Sequence, residues 1–100
     1  MKINEAATWS DSKQEKLCDD AKKKFGSGFW CKPGHMWDNR AIFWTGEGAS
    51  IKGQDAFQSY THGSGPYNDF GIHKDLAAWA KKNKVFLEPY DGGTLLGYAE

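Results

Sequence analysis

Glu47, His62 and Arg40 are the residue types that acid–base cleavage of RNA requires. A carboxylate takes the attacking proton, an imidazole returns one to the leaving group, and a cation steadies the phosphate. Lys52 offers a second cation. These types occur in almost any chain, and their spacing follows no ribonuclease pattern, so a small RNA-cleaving hydrolase is the alternative function here and not the leading one. Cys31 and His35 stand four apart, with His62 and His73 further on. A structural zinc site takes two tightly spaced ligand pairs, and this chain offers one, so no metal is expected. Cys31 beside either His35 or His62 would make a thiolate pair only if the fold joined them. Ser64 lies in His-Gly-Ser-Gly, which lacks the Gly-x-Ser-x-Gly spacing of a nucleophile elbow. The segments 26–28 and 46–48 are too short for a phosphate loop, and neither opens a helix. No cofactor is expected.

Rings outside any periodic pattern point to binding. Trp37 lies in the connection 33–39, and Tyr60, Tyr67 and Phe70 punctuate a polar stretch. That stretch, 61–71, is rich in Gly, Ser, Asn and His, and loops of such length in small domains usually carry function. Tyrosine gives wide contact area at low entropic cost, while Ser, Gly and Asn adapt their hydrogen bonds. The expected reading is a non-enzymatic interaction module of inhibitor or adaptor type, a class that includes viral accessory proteins. It would hold a protein partner, or its own copy, through loop 60–70 and the 34–40 turn. Trp37, Tyr60 and Tyr67 would be the anchors, Phe70 a further binding residue, and His35, His62 and Arg40 would supply directional hydrogen bonds. The opposing possibility is that these rings fold back and staple the loop, as in an Ω-loop. A weak single-stranded nucleic-acid binder is a further alternative. The segment 24–30 is similar to the basic-glycine-aromatic strand of RNA-recognition domains, with one residue too many.

These residues need a scaffold, and composition says what kind. The chain has 100 residues with thirteen Lys+Arg, thirteen Asp+Glu and zero formal charge. Mean hydropathy is −0.73, yet Phe, Trp and Tyr number fifteen against ten Ile, Leu and Val. Each ring buries on the order of 150–250 Å², so one folded domain over 1–100 with an aromatic core is expected. Neutral charge and a single arginine among thirteen cations argue against double-stranded DNA as a partner. No apolar run approaches a membrane span, and residues 1–10 lack a signal-peptide core, so no membrane partner and a cytoplasmic location are expected. Two cysteines, Cys18 and Cys31, are expected as free thiols packed in the core, with a single bridge as the lesser alternative.

Ser12 with Glu15 reads as a capping box opening a helix over 12–25, with Leu17, Cys18, Ala21 and Phe25 on one face and Gly26 as its stop. Strands are expected at 29–31, 40–45 and 49–52, with one or two helical turns over 54–60. A second helix over 72–82 buries Ile72, Leu76, Trp79 and Ala80, and Asn83 caps it. Strands at 85–90 and 94–98 flank the hairpin signal Asp91-Gly92-Gly93. Both halves run helix, lysines, three apolar residues, charge, proline, turn, strand. The fold class is therefore α+β: an antiparallel sheet of about four strands in two hairpins, two helices on one face, and an echo suggesting a duplicated α-β-β unit. Ten rings fall on stripes and strands that need them, Trp30, Trp44, Phe86, Tyr90 and Tyr98 among them; Trp37, Tyr60, Tyr67 and Phe70 do not.

Overall fold

Helix α1 (Asp11–Phe25) begins where the Ser10 hydroxyl accepts from the Lys13 N–H at 3.3 Å. The cap is thus Ser10, two residues ahead of the expected Ser12, and Asp11 joins the first turn at the positive end of the helix dipole. Lys22, Lys23 and Lys24 occupy the last turn, and Gly26 ends the helix at φ +91°. The buried stripe is Gln14, Leu17, Cys18 and Ala21. Gln14 is a polar residue that the apolar pattern passes over. Its amide nitrogen donates to the Trp9 carbonyl at 2.8 Å, and its oxygen accepts from the His35 N–H at 2.9 Å, so burial leaves neither group unpaired. The computed structural model describes residues 9–38, 40–61 and 63–100.

After α1 come β1 (Lys32–Pro33), a 3-10 turn (Gly34–Met36), β2 (Ala41–Gly46), β3 (Ser50–Ile51), β4 (Gln54–Asp55), α2 (Lys74–Lys82), β5 (Val85–Asp91) and β6 (Thr94–Ala99). Four strands form one antiparallel sheet in the order β1-β2-β6-β5, and β3-β4 is a separate hairpin. The α+β expectation holds. Each half contributes two strands to the four-stranded sheet, and β2 and β6, the second of each pair, lie side by side at its centre. The expected helical turns over 54–60 do not form. Lys52 (φ 54°) and Gly53 (φ 78°) make a two-residue turn instead, and the chain doubles back as β4. The first strand also moves, from 29–31 to Lys32–Pro33, because the Trp30 carbonyl is taken by the Thr45 hydroxyl at 2.6 Å and not by a ladder partner.

The helices cover one sheet face. Phe43 lies between Phe29 and Trp79, at ring separations of 6.5 and 5.2 Å, with Val85, Leu95 and Leu76 in the same core. A Cβ on Gly97 would stand 2.7 Å from Val85 Cγ1 and 2.9 Å from Phe43 Cβ, so only glycine fits at that point of the central strand. Contrary to the free-thiol expectation, Cys18 and Cys31 are joined as a disulfide, their Cα atoms 6.0 Å apart. The helical stripe and the segment leading into β1 face each other across the core, and this is what brings the two sulfurs together. Among the described residues, no helix is long and apolar enough to cross a membrane.

Candidate functional site

The loop 61–71 is held in place by its own backbone. Ser64 N–H donates to Thr61, Tyr67 N–H to Ser64, Gly71 N–H to Asn68 and Lys74 N–H to Pro66. The Asn68 side chain accepts from the Phe70 and Ile72 N–H groups at 2.9 and 3.0 Å. Gly71 has φ +79°, and a Cβ there would overlap the Gln58 carbonyl. Tyr67 turns inward, 6 % exposed; its hydroxyl donates to the Asp55 carbonyl at 2.8 Å and its ring meets His73 edge-on. Burial, then the Asp55 charge, raise its pKa above 10.0. Tyr67 is therefore the staple of the loop. Tyr60, 75 % exposed, and Phe70 stay in solvent. His62 lies outside the described residues.

His73 is buried and closes the loop onto α2. Its Nδ1 accepts from the Asp75 N–H at 3.1 Å as the helix cap, and its Nε2 faces the Gln54 oxygen at 2.9 Å. Burial is the main cause holding its pKa below 6.5; Asp75 opposes the shift and Lys52 adds to it.

Two members of the acid–base set, Arg40 and Glu47, are not brought together. Arg40 precedes β2 and Glu47 follows it, so the six residues of that strand stand between them, roughly 20 Å at the usual strand rise. Arg40 lies 3.7 Å from Asp38, and Lys52 lies 3.3 Å from Asp75. Glu47 instead shares a small cleft of about 140 Å³ with Tyr60 and Asp55. His35 sits on the helix side, its Nε2 3.9 Å from Asp11 and without a hydrogen bond. Among the described residues, no three His, Cys, Asp or Glu side chains gather as a metal site would require.

A different arrangement emerges on the sheet face that the helices leave uncovered. Phe43, Gly97, Val85 and Leu87 point to the core, so by alternation Trp44, Leu96, Tyr98, Phe86 and Glu88 point the other way. Trp37, delivered by the 3-10 turn, leans on Trp44 at 4.9 Å and on Tyr90 at 5.4 Å, and Trp30 meets Trp44 edge-on at 5.7 Å. The turn reaches this position because Gly34 packs against the backbone of Ala41 and Ile42, where a Cβ would overlap. Leu96, between Trp44 and Glu88 in register, is 1 % exposed on a face without helices, so these rings close over it. Tyr90 occupies a bulge in β5 that throws its ring outward. Tyr98 has its pKa raised by burial first, then by the Asp38 and Glu88 charges, with Arg40 opposing. Those three charges rim the cluster.

Of the residues expected at a site, Trp37 and Arg40 belong to this face, whereas Tyr60, Phe70 and His35 stand elsewhere. Trp44, Phe86, Tyr90 and Tyr98, expected in the core, line it, whereas Trp30 packs against the core as expected and also meets Trp44. Strand alternation carried the missed signal. In β5 the aliphatics Val85 and Leu87 share one phase, and Phe86 falls in the other with Glu88. No protein-family model matches the chain, nor does any curated protein or solved structure. The class that the fold defines is a small α+β domain, with one aromatic sheet face that α1 and α2 leave open.

Proposed function

We propose that the protein is a non-enzymatic protein-binding module of inhibitor or adaptor type, and that it holds its partner on the open sheet face. One observation carries the reading: Trp37, Trp44 and Tyr90 form a continuous ring cluster on the side of the sheet that, among the described residues, no helix covers. Aromatic side chains packed at the centre of a patch and rimmed by polar groups are the usual energetic anchors of protein interfaces. The rim here is Asp38, Arg40 and Glu88, mixed in sign, which suits directional recognition of a protein. Separation of Arg40 from Glu47 speaks against the hydrolase.

The test pairs two double variants. Trp37→Ala with Tyr90→Ala should keep the far-ultraviolet circular dichroism of the parent and lose the partner captured by the immobilised protein. Tyr60→Ala with Phe70→Ala should retain it. Retention by the first pair and loss by the second would move the site to loop 61–71.

A single-strand nucleic-acid binder is the second reading, since rings on an antiparallel sheet face serve as base-stacking platforms. Against it, the carboxylates of Asp38 and Glu88 sit where a phosphate track would want cations. An oligonucleotide shift that weakens with salt would favour it.

A further inference from the structure

We infer that β5 pairs with β5 of a second copy of this chain, antiparallel and centred on Phe86. This rests on the edge of the sheet and stands apart from the open-face reading. β5 is last in the strand order, so among the described residues one side of it has no ladder partner. The hydrogen-bonding phase tells which residues face outward. Glu100 N–H donates to the Lys84 carbonyl, which sets the phase in which β5 turns its backbone groups toward β6. Phe86 with Tyr98 and Glu88 with Leu96 follow in the same phase, two residues on. Val85, Leu87 and Pro89 therefore turn their backbone groups to the free edge.

An exposed edge with unpaired N–H and C=O groups accepts another strand. Two copies related by a two-fold axis pair residue i with residue j at a constant sum. Centring on Phe86 sets Val85 opposite Leu87 of the second copy, and both have outward backbone groups, so each exchanges N–H···O bonds with the other. Phe86, 52 % exposed, meets its own counterpart. Lys84, in the left-handed turn (φ 61°) that leads into β5, lies at the end of the paired stretch and comes beside Glu88 of the second copy, twice over by symmetry. Neither Lys84 nor Glu88 makes an ion pair among the described residues. Charges on an edge normally discourage pairing; here their signs reverse about the centre, so self-pairing matches them. Pro89, which has no N–H to give, falls opposite Asn83, outside the paired stretch. Shifting the axis to Leu87 would bring Pro89 opposite Val85 and lose a bond. Beneath the edge runs a groove of about 240 Å³ lined by Phe70, Ile72, Ala77 and Ala80, open to the inward-facing side chains of the second strand.

The test uses charge reversal read by sedimentation velocity. The parent chain should dimerise at concentrations up to about 1 mM, the weak limit of specific association. Lys84→Glu and Glu88→Lys should each weaken self-association roughly tenfold or more, because two ion pairs become two like-charge contacts. An equimolar mixture of the two variants should regain parental affinity as a heterodimer, since every contact is again opposite in sign. That recovery also shows both variants folded. A parent that stays monomeric overturns the proposal. So does a dimer that ignores the reversals, or one that the mixture fails to restore. Neither outcome bears on Trp37 and Tyr90, whose variants test the open face separately.

Discussion

Lys52 holds a left-handed backbone, φ 54°, in a turn where lysine gains nothing from it. That conformation costs an L-residue about 1–2 kcal/mol, and asparagine pays less of it. Lys52 also approaches Asp75 at 3.3 Å, but its side chain is largely exposed and such pairs contribute little. Lys52→Asn should therefore raise stability by about 1 kcal/mol, a melting shift of roughly 4–8 °C in a domain this size. His73 makes stability depend on pH. Its folded pKa lies below 6.5, so the unfolded chain takes up the proton first as pH falls. Stability is complete above about 6.5, declines as pH drops toward the folded value, and is level below it. The physical event is loss of the Nδ1 lone pair that caps α2. His73→Asn keeps a capping oxygen without a proton to gain, and should flatten the melting temperature between pH 7 and pH 5. Asn83 as the α2 cap could be read in the sequence, because capping chemistry is local. His73 and Gln14 could not, since their partners Gln54, Trp9 and His35 come from other elements.

Elements with strong period or strong turn chemistry were legible. Helix α1 and the β5–β6 hairpin fall within two residues of expectation, because an amphipathic stripe and an Asp-Gly-Gly turn each act over a few residues. The β3–β4 hairpin was not, because its turn places a lysine where glycine or asparagine gives the usual signal. Alternation in β5 separates Val85 and Leu87 from Phe86, whereas a count of rings speaks only of core demand; Trp44, Phe86, Tyr90 and Tyr98 face outward and Phe43 inward. β6 gives the sharpest test of which face is full. Gly97→Val would drive two methyl groups into Val85 and Phe43, whose positions are fixed by Trp79 and α2. It should cost about 1–3 kcal/mol, seen as a lower urea midpoint with unchanged slope. Leu96→Ala, one position along and on the opposite face, should loosen Trp37, with its fluorescence maximum moving to the red.

At the scale of the molecule, the Cys18–Cys31 bridge ties α1 to the sheet across a separation of 13 residues. Closing a loop of that length is worth about 3 kcal/mol in the chain-entropy account. Reduction should lower the melting temperature by roughly 10–20 °C, and a melting temperature indifferent to dithiothreitol would show the bridge to be dispensable. Disulfides persist in oxidising compartments, so the pairing weighs against the cytoplasmic expectation. The sheet order has one more result, in time rather than space. β2 is central, yet its inner neighbour β6 follows it far along the chain, after β3, β4, α2 and β5. Until β6 has been made, β1, two residues long, is the partner β2 has among the described strands. The first half therefore cannot complete its sheet by itself, and most of the sheet should assemble only once β6 is available. Pairings of such long separation set a slow pace, and folding should take milliseconds or longer.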